Sequence, residues 1–373
     1  MFRLSNLIKS TLQEQKSRSL DGSIIIWNMT NRCNLLCHHC YSKASANEKE
    51  SLSLEDILKT IPKLKIANIN FVIFSGGEPL LRKDIFEIAQ CMKDNKIMTY
   101  LSTNGTYITQ KNVQKIIDTF NYIGISIDGI GEVHDYFRGQ KGSYDKSIEA
   151  IKTIQKLGGN AGIRFTITKE TESSFYDIFT LAEELNVNKI YISHLVYSGR
   201  GKENLEIDIS KEKRREYVNF MINKAFEYYE NGKDIDIVTG NMEMDAIILL
   251  KEFEKKYPDF VNSLKNRLKS WGGNSAGKRL GNMDWNGFVK PDPFFPMTIG
   301  NYLEKDFDKI WLDDNNELLK KLREFPRNIK GKCSSCKYID ICNGGSRSRA
   351  YAISGDLWDE DPSCYLTLEE IKG

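Results

Sequence analysis

From Ser23 to about Ser198, short apolar β-rich runs alternate with amphipathic helical runs, and this alternation restricts the fold more than any other feature of the chain. The strand segments are Ser23–Asn28, Asn68–Ser75, Ile97–Ser102, Tyr122–Ile127, Gly162–Thr168 and Lys189–His194. Between them, apolar residues recur at i, i+3, i+4 and i+7 over Leu54–Leu64, Asp84–Asp94, Asn112–Phe120, Tyr144–Leu157 and Phe175–Leu185, the spacing of one helix face. Strands and helices in this order predict an α/β fold with a parallel sheet and right-handed crossovers. Closing six such strands gives a partial, TIM-like (β/α)6 barrel whose functional loops lie at the C-terminal ends of the strands. Ser53, with Asp56 three residues on, predicts a cap for the first helix. Pro62 predicts a kink or an end to it.

Outside this stretch the organisation changes. Residues 1–22 are polar with scattered Leu and Ile and read as a short helical arm. The segment Tyr197-Ser198-Gly199-Arg200-Gly201-Lys202 ends the alternation, which sets the core at 23–204. Two charged helical runs, Lys211–Asn231 and Met242–Lys269, separated by an Ile/Val segment, make 205–270 a helical connector. From Trp271 the chain is glycine-rich, then aromatic and proline-rich, so 271–373 reads as a second, smaller module. A length of 373 residues accommodates one barrel with such an appendage. Fifty-three Lys and Arg against 51 Asp and Glu leave no basic surplus for a nucleic-acid partner. Met1–Ser17 carries charges throughout and has no apolar signal region, and no apolar run is long enough to span a bilayer. The expectation is a cytoplasmic protein without a membrane partner.

Eight cysteines in a large chain of this kind point to metal or redox chemistry rather than disulfides. Cys33, Cys37 and Cys40 sit at i, i+4 and i+7 on the loop leaving the first strand. Three thiolates hold three corners of an iron–sulfur cluster and leave the fourth iron for a ligand that is not protein. A structural zinc ion needs a fourth ligand, which His38 or His39 would have to supply. Near the other end, Cys333-x2-Cys336-x5-Cys342-x21-Cys364 offers four thiols, enough to close either a cluster or a zinc site. Cys91 fits a helical pattern with Ile85, Ile88, Ala89 and Met92 and carries no assigned role.

The second strand ends in Ser75-Gly76-Gly77-Glu78-Pro79, where two glycines let backbone pass close to a ligand and proline sets the turn. Taken alone, this is also an ordinary tight βα turn. The third and fourth strands end in Leu101-Ser102-Thr103-Asn104-Gly105 and Ser126-Ile127-Asp128-Gly129, with small polar side chains at the strand tops. Asn104-Gly105 is equally a turn pair.

The x3, x2 cysteine spacing, followed one βα unit later by Gly-Gly-Glu-Pro, resembles the signature of the radical S-adenosylmethionine (SAM) superfamily. The resemblance implies one [4Fe-4S] cluster on Cys33, Cys37 and Cys40 with SAM on its open iron. It further implies that the backbone of Gly76, Gly77 and Pro79 and the Glu78 side chain hold the amino end of SAM. Ser102, Asn104, Ser126 and Asp128 then lie where its ribose and carboxylate bind, with Ser126 and Asp128 the better candidates. His39, just before the third cysteine, is implied near the adenine, and Arg138 offers a carboxylate fork, unless it is a solvated surface arginine. The C-terminal module resembles the SPASM/twitch-like extension of such enzymes, which in its full form carries seven cysteines and two auxiliary clusters. Asp292 and Ser346 stand at two positions where that pattern has cysteine. The resemblance therefore implies a single auxiliary [4Fe-4S] cluster on Cys333, Cys336, Cys342 and Cys364.

A closer resemblance covers nearly the whole chain. The blocks Val72–Leu81, Gly124–Gly129, Tyr191–Leu195 with Gly199-Arg200-Gly201, Ile237–Asn241, and the ending from Cys342 through Arg347, Arg349, Trp358, Pro362 and Leu366 are similar to the radical SAM family of heme d1 biosynthesis. This implies removal of propionate side chains from 12,18-didecarboxysiroheme by a 5′-deoxyadenosyl radical, with an electron donor such as flavodoxin or ferredoxin. The chemistry is largely the cofactor's. Arg200, Arg347 and Arg349 are candidate carboxylate contacts for a tetrapyrrole, and His194 a candidate iron ligand or proton donor, against the plainer readings of solvated arginines and a packed histidine. Two other enzyme readings stay open: acetate removal in the alternative heme pathway, and a peptide-modifying maturase, for whose peptide-binding domain the Met1–Asp21 arm leaves no room. A zinc-stabilised binding protein is the non-enzyme reading.

Overall fold

The β-branched run at Ser23–Thr30 forms the strand around which the sheet is laid out. The computed structural model describes residues 1–15, 22–49 and 51–372, so part of the expected arm, residues 16–21, lies outside the described residues. In chain order the strands are β1 (Phe2–Arg3), β2 (Ser23–Thr30), β3 (Ile69–Gly76), β4 (Met98–Thr103), β5 (Tyr122–Ser126), β6 (Ala161–Ile167), β7 (Lys189–His194), β8 (Asp236–Gly240), β9 (Leu280–Met283), β10 (Phe288–Lys290) and β11 (Gly300–Asn301). They make one sheet in the order β1-β8-β7-β6-β5-β4-β3-β2-β9-β10-β11. From β2 to β8 every neighbouring pair is parallel. This is the α/β partial barrel that the alternation of patterns predicts.

The alternation of burial along each strand separates two faces. Ile25, Ile123, Ile163, Ile190 and Ile237 are wholly buried on the face that helices cover, each burial stabilising by about 1.5–3 kcal/mol. The other face carries half-exposed residues on strand after strand: Ile24 and Ile26, Tyr100 and Ser102, Ser126, Arg164 and Thr166, Lys189, Tyr191 and Ser193. The inner side of the sheet is therefore only partly filled, Phe71, Ile73, Tyr122 and Val238 being buried on it.

Three local features depart from the sequence reading. The Ile/Val segment within 205–270 is β8, a seventh parallel strand paired with β7, because the helix Lys211–Glu230 acts as one more crossover. The run Met242–Lys269 is two helices, Asp245–Lys256 and Val261–Trp271, interrupted at Pro258, which cannot donate a helical hydrogen bond. Conversely, the helix Leu54–Ile66 runs through Pro62 and ends only at Ala67. Its start is as expected, with the Asp56 amide donating to Ser53 Oγ at 3.1 Å.

Candidate cluster and cofactor site

The loop after β2 is stitched to its surroundings by backbone. Cys33 N–H donates to Ser45 O at 2.9 Å, Leu36 N–H to Arg138 O at 3.2 Å and His38 N–H to Phe137 O at 3.0 Å. The loop after β3 is tied to the same segment, with Gly77 N–H donating to Thr30 O and Glu78 N–H to Arg32 O, both at 2.8 Å. That closeness explains both glycines. Gly76 has φ +121°, and a Cβ on Gly77 would overlap the Arg32 carbonyl. Strand tops β2 and β3 thus bring Cys33, Cys37, Cys40, Gly76 and Gly77 together.

Donors face each of the three sulfurs. Leu35 N–H lies 3.4 Å and Asn104 Nδ2 4.0 Å from Cys33 Sγ, Arg138 Nη1 3.5 Å from Cys37 Sγ, and Ser42 Oγ 3.4 Å from Cys40 Sγ. Burial pushes the free Cys33 thiol up to about 12, and burial likewise raises Cys37, so only a bound cation keeps them as thiolates. The donor set fits an iron–sulfur cluster. Among the described residues, no three or more His, Cys, Asp or Glu side chains close tightly enough to hold a single metal ion.

Several expected cofactor contacts are already engaged within the protein. Glu78 is wholly buried: Oε1 accepts from Thr103 Oγ1 at 2.8 Å and Leu80 N–H at 3.0 Å, and Oε2 from Asn104 N–H at 2.8 Å. Burial raises its pKa against those hydrogen bonds. Asn104 holds Asn34 of the cysteine loop at 3.0 Å. Asp128, buried, accepts from Thr166 N–H at 2.6 Å and pairs with Arg138. Burial would raise the Asp128 carboxyl, but Arg138 and its other partners hold it below the usual range. Arg138 is thus a buried group shared by Asp128 and Cys37, not a solvated one. His39 stacks on Phe137, centroids 4.6 Å apart, and burial lowers it to about 4, leaving a neutral ring with Nδ1 unpartnered. Pro79 is buried, whereas Ser102 and Ser126 stay half-exposed on the inner face.

Four residues proposed for substrate contact are structural. Arg347 is wholly buried and donates to the carbonyls of Leu357 and Asp359 at 2.8 and 2.6 Å. Arg349, equally buried, makes a two-pronged pair with Asp361 at 3.0 and 2.8 Å and also bonds Leu195 O. Arg200 braces the cysteine loop through Cys37 O at 2.7 Å and Ala44 O at 3.2 Å. His194 lies on the helix-covered face beside Arg214, Nδ1 to Nη1 3.3 Å, and burial keeps it neutral. Sequence reasoning passed over Arg164, a half-exposed inner-face cation directly across from Ser126 in register; its alternation with Ile163 and Phe165 was the available signal.

Cys333, Cys336, Cys342 and Cys364 border one cavity with Met244, Ile247, Ile339, Leu366 and Ile371. Burial raises all four thiols, Cys333 to about 12. Four sulfurs around an apolar space fit a cluster fully ligated by cysteine. Cys91 stands apart, half-buried in the helix Ile85–Asp94.

Comparison with known proteins agrees with this geometry. Residues 27–182 match the Radical SAM superfamily. The chain is 36% identical to the pre-heme d1 synthase of Dinoroseobacter shibae, over 99% of this chain and 93% of that protein. It is 37% identical to the Fe-coproporphyrin III synthase of Methanosarcina barkeri, over 93% and 89%. The mycofactocin maturase MftC of Mycolicibacterium smegmatis is 27% identical over 95% and 85%. Among solved structures, Streptococcus suis SuiB bound to S-adenosylmethionine superposes with a TM-score of 0.72 at 17% identity, over 92% of this chain and 77% of that one. anSMEcpe with bound AdoMet and a peptide gives 0.70 at 19%, over 92% and 93%. These last two show a shared fold. The thiol loop, the glycine turn pressed against it and the near full-length match together make this chain a radical SAM enzyme, a member of the family that includes pre-heme d1 synthase and Fe-coproporphyrin III synthase.

Proposed function

We propose that the protein removes propionate side chains from 12,18-didecarboxysiroheme on the route to heme d1. The observation that carries this reading is the 36% identity to a pre-heme d1 synthase across 99% of the chain. When bound, the cluster and SAM would supply radical chemistry for hydrogen abstraction from the substrate. Cys33, Cys37 and Cys40 hold the cluster, and Arg138 and Arg200 fix the loop that carries them. The half-exposed backbone of Gly76 and Gly77 takes the amino end of SAM. Glu78, its oxygens engaged, positions that backbone by tying it to Thr103 and Asn104. Ser102 and Ser126 face the ribose and carboxylate, and Asp128 and His39 shape the adjoining wall. No side-chain nucleophile is needed.

Cys333, Cys336, Cys342 and Cys364 would hold a second [4Fe-4S] cluster, which would supply an electron acceptor, and a flavodoxin or ferredoxin would serve as electron donor. The ring of thiols about one apolar cavity supports this. The 37% identity to an Fe-coproporphyrin III synthase favours a second reading, removal of acetate groups from the same kind of substrate.

Anaerobic reconstitution should yield about eight irons per chain with matching sulfide; zinc without sulfide would sink the radical reading. Incubation with SAM, reductant and didecarboxysiroheme should give 5′-deoxyadenosine and a tetrapyrrole lighter by its propionate arms. Loss of acetate arms from the same substrate instead selects the second reading, and an unchanged mass excludes both.

A further inference from the structure

Among the described residues, two cations on the inner face of the sheet, Arg164 and Lys189, make no hydrogen bond or close ion pair, and only Asp236 attracts Lys189. Arg164 stands in the middle of β6, and its guanidinium lies over the Tyr191 ring at 4.5 Å. Lys189 opens β7, and its ammonium lies over the Tyr122 ring at 4.0 Å. Both residues are half-buried, and both charged ends reach the open inner side, unlike the sealed Tyr122 hydroxyl. Asp236 sits across from Lys189 in register; Arg3 engages its Oδ2 at 2.8 Å, while its Oδ1 makes no hydrogen bond. The sum over Arg3, Arg164, Lys189 and Asp236 is therefore two positive charges in excess.

The surrounding strands make room for this arrangement. A Cβ on Gly124 would meet the Arg164 stem at 2.8 Å, and Cβ atoms on Gly162 and Gly240 would overlap the Tyr122 and Tyr191 hydroxyls. Tyr122 and Tyr191 thus lie across neighbouring strands as platforms, and the cations stand on them. Burial, with Arg3 and Arg164 nearby, lowers the Lys189 pKa against the pull of Asp236, so the unpaired charge is held at a free-energy cost. An aromatic face offsets part of that cost. A planar anion offsets the rest, since a guanidinium fork and an ammonium match carboxylate geometry.

We propose that Arg164 and Lys189 form a carboxylate-binding site inside the partial barrel, reaching from the level of Ser126 to one same-face step beneath it. Successive same-face residues are about 6.6 Å apart along a strand. Lys189 is one such step beneath Tyr191, the register partner of Arg164, so the pair spans a group that enters from the cysteine-loop end. The choice of a carboxylate rests on the proposed function, in which both SAM and the tetrapyrrole carry that group.

The test is equilibrium binding to the reconstituted holoenzyme with four probes: SAM, decarboxylated SAM, didecarboxysiroheme and its methyl ester. The Arg164→Gln/Lys189→Gln protein should bind one of the two acids about tenfold more weakly, as expected for the loss of a charge-assisted hydrogen bond. It should bind the matching neutral probe as the wild type does. Loss confined to SAM assigns the site to the methionyl carboxylate, and loss confined to the tetrapyrrole acid assigns it to a substrate arm. Arg164→Lys/Lys189→Arg, which keeps both charges, should recover most of the lost affinity. The proposal is overturned if all four probes bind the double variant as they bind the wild type, or if acid and neutral forms weaken together. A wild type that binds SAM but no tetrapyrrole removes the functional reading and leaves the site testable through SAM alone.

Discussion

Asp245, wholly buried at the first position of the helix Asp245–Lys256, accepts from the Tyr365 hydroxyl at 2.7 Å and has its other oxygen unpartnered. Burial lifts its carboxyl to about 7, with Glu243 adding to the rise and Tyr365, Thr239 and Arg214 opposing it. A carboxyl raised on folding binds more protons in the native state, so its stabilisation is complete below the unfolded value and is lost as pH climbs through the folded one. Unfolding free energy from urea titrations should therefore fall between about pH 4 and 7, and Asp245→Asn should flatten that slope. The opposite sign belongs to Asp361, which Arg349 holds below its usual range against burial. Its stabilisation is lost as pH drops through the depressed value. Removing one partner strands the other charge, so Arg349→Leu should lower stability by about 3–5 kcal/mol in the same titration. An unchanged urea midpoint would restore Arg349 as a substrate contact. The arginines near the C-terminus show where sequence reasoning ended: their charge was visible, but the carbonyls of Leu357, Asp359 and Leu195 that absorb it are set by tertiary packing alone.

The loops after β2 and β3 behave as one element because Gly77 and Glu78 are bonded to Thr30 and Arg32. Gly77→Ala places a Cβ on the Arg32 carbonyl and so displaces the segment entering Cys33. Iron per reconstituted chain should fall from about eight toward about four, with the far-ultraviolet spectrum unchanged. Full iron content would show that the two loops move independently. These loops were legible because thiol spacing, paired glycines and strand ends are local signals that need no distant partner. β8 was not, since five residues between charged helices carry little periodicity and only pairing with β7 identifies them. Pro62 was misleading for a similar reason: the remaining turns of its helix hold, with Ile61 and Leu64 buried on either side.

At the level of the molecule, the proposed function expects the two thiol sets to make separable contributions. Replacing Cys33, Cys37 and Cys40 together by Ala should leave about four irons per chain and a cooperative unfolding transition. In the wild type, SAM at a hundred times its Kd should add about 2.7 kcal/mol of stability, and in the triple variant nothing. A stabilising effect that survives the triple change would put SAM elsewhere. The sheet also ties sequence-distant segments together, since β9 returns to lie beside β2, Leu280 opposite Ile24. During synthesis the strand that launches the cysteine loop has one flank bare until the ribosome has added more than 250 further residues, a wait of roughly 13 to 50 seconds at usual elongation rates. Over that interval its open backbone is a template for any passing strand. Until β9 is made, that bare flank leaves the nascent chain open to aggregation.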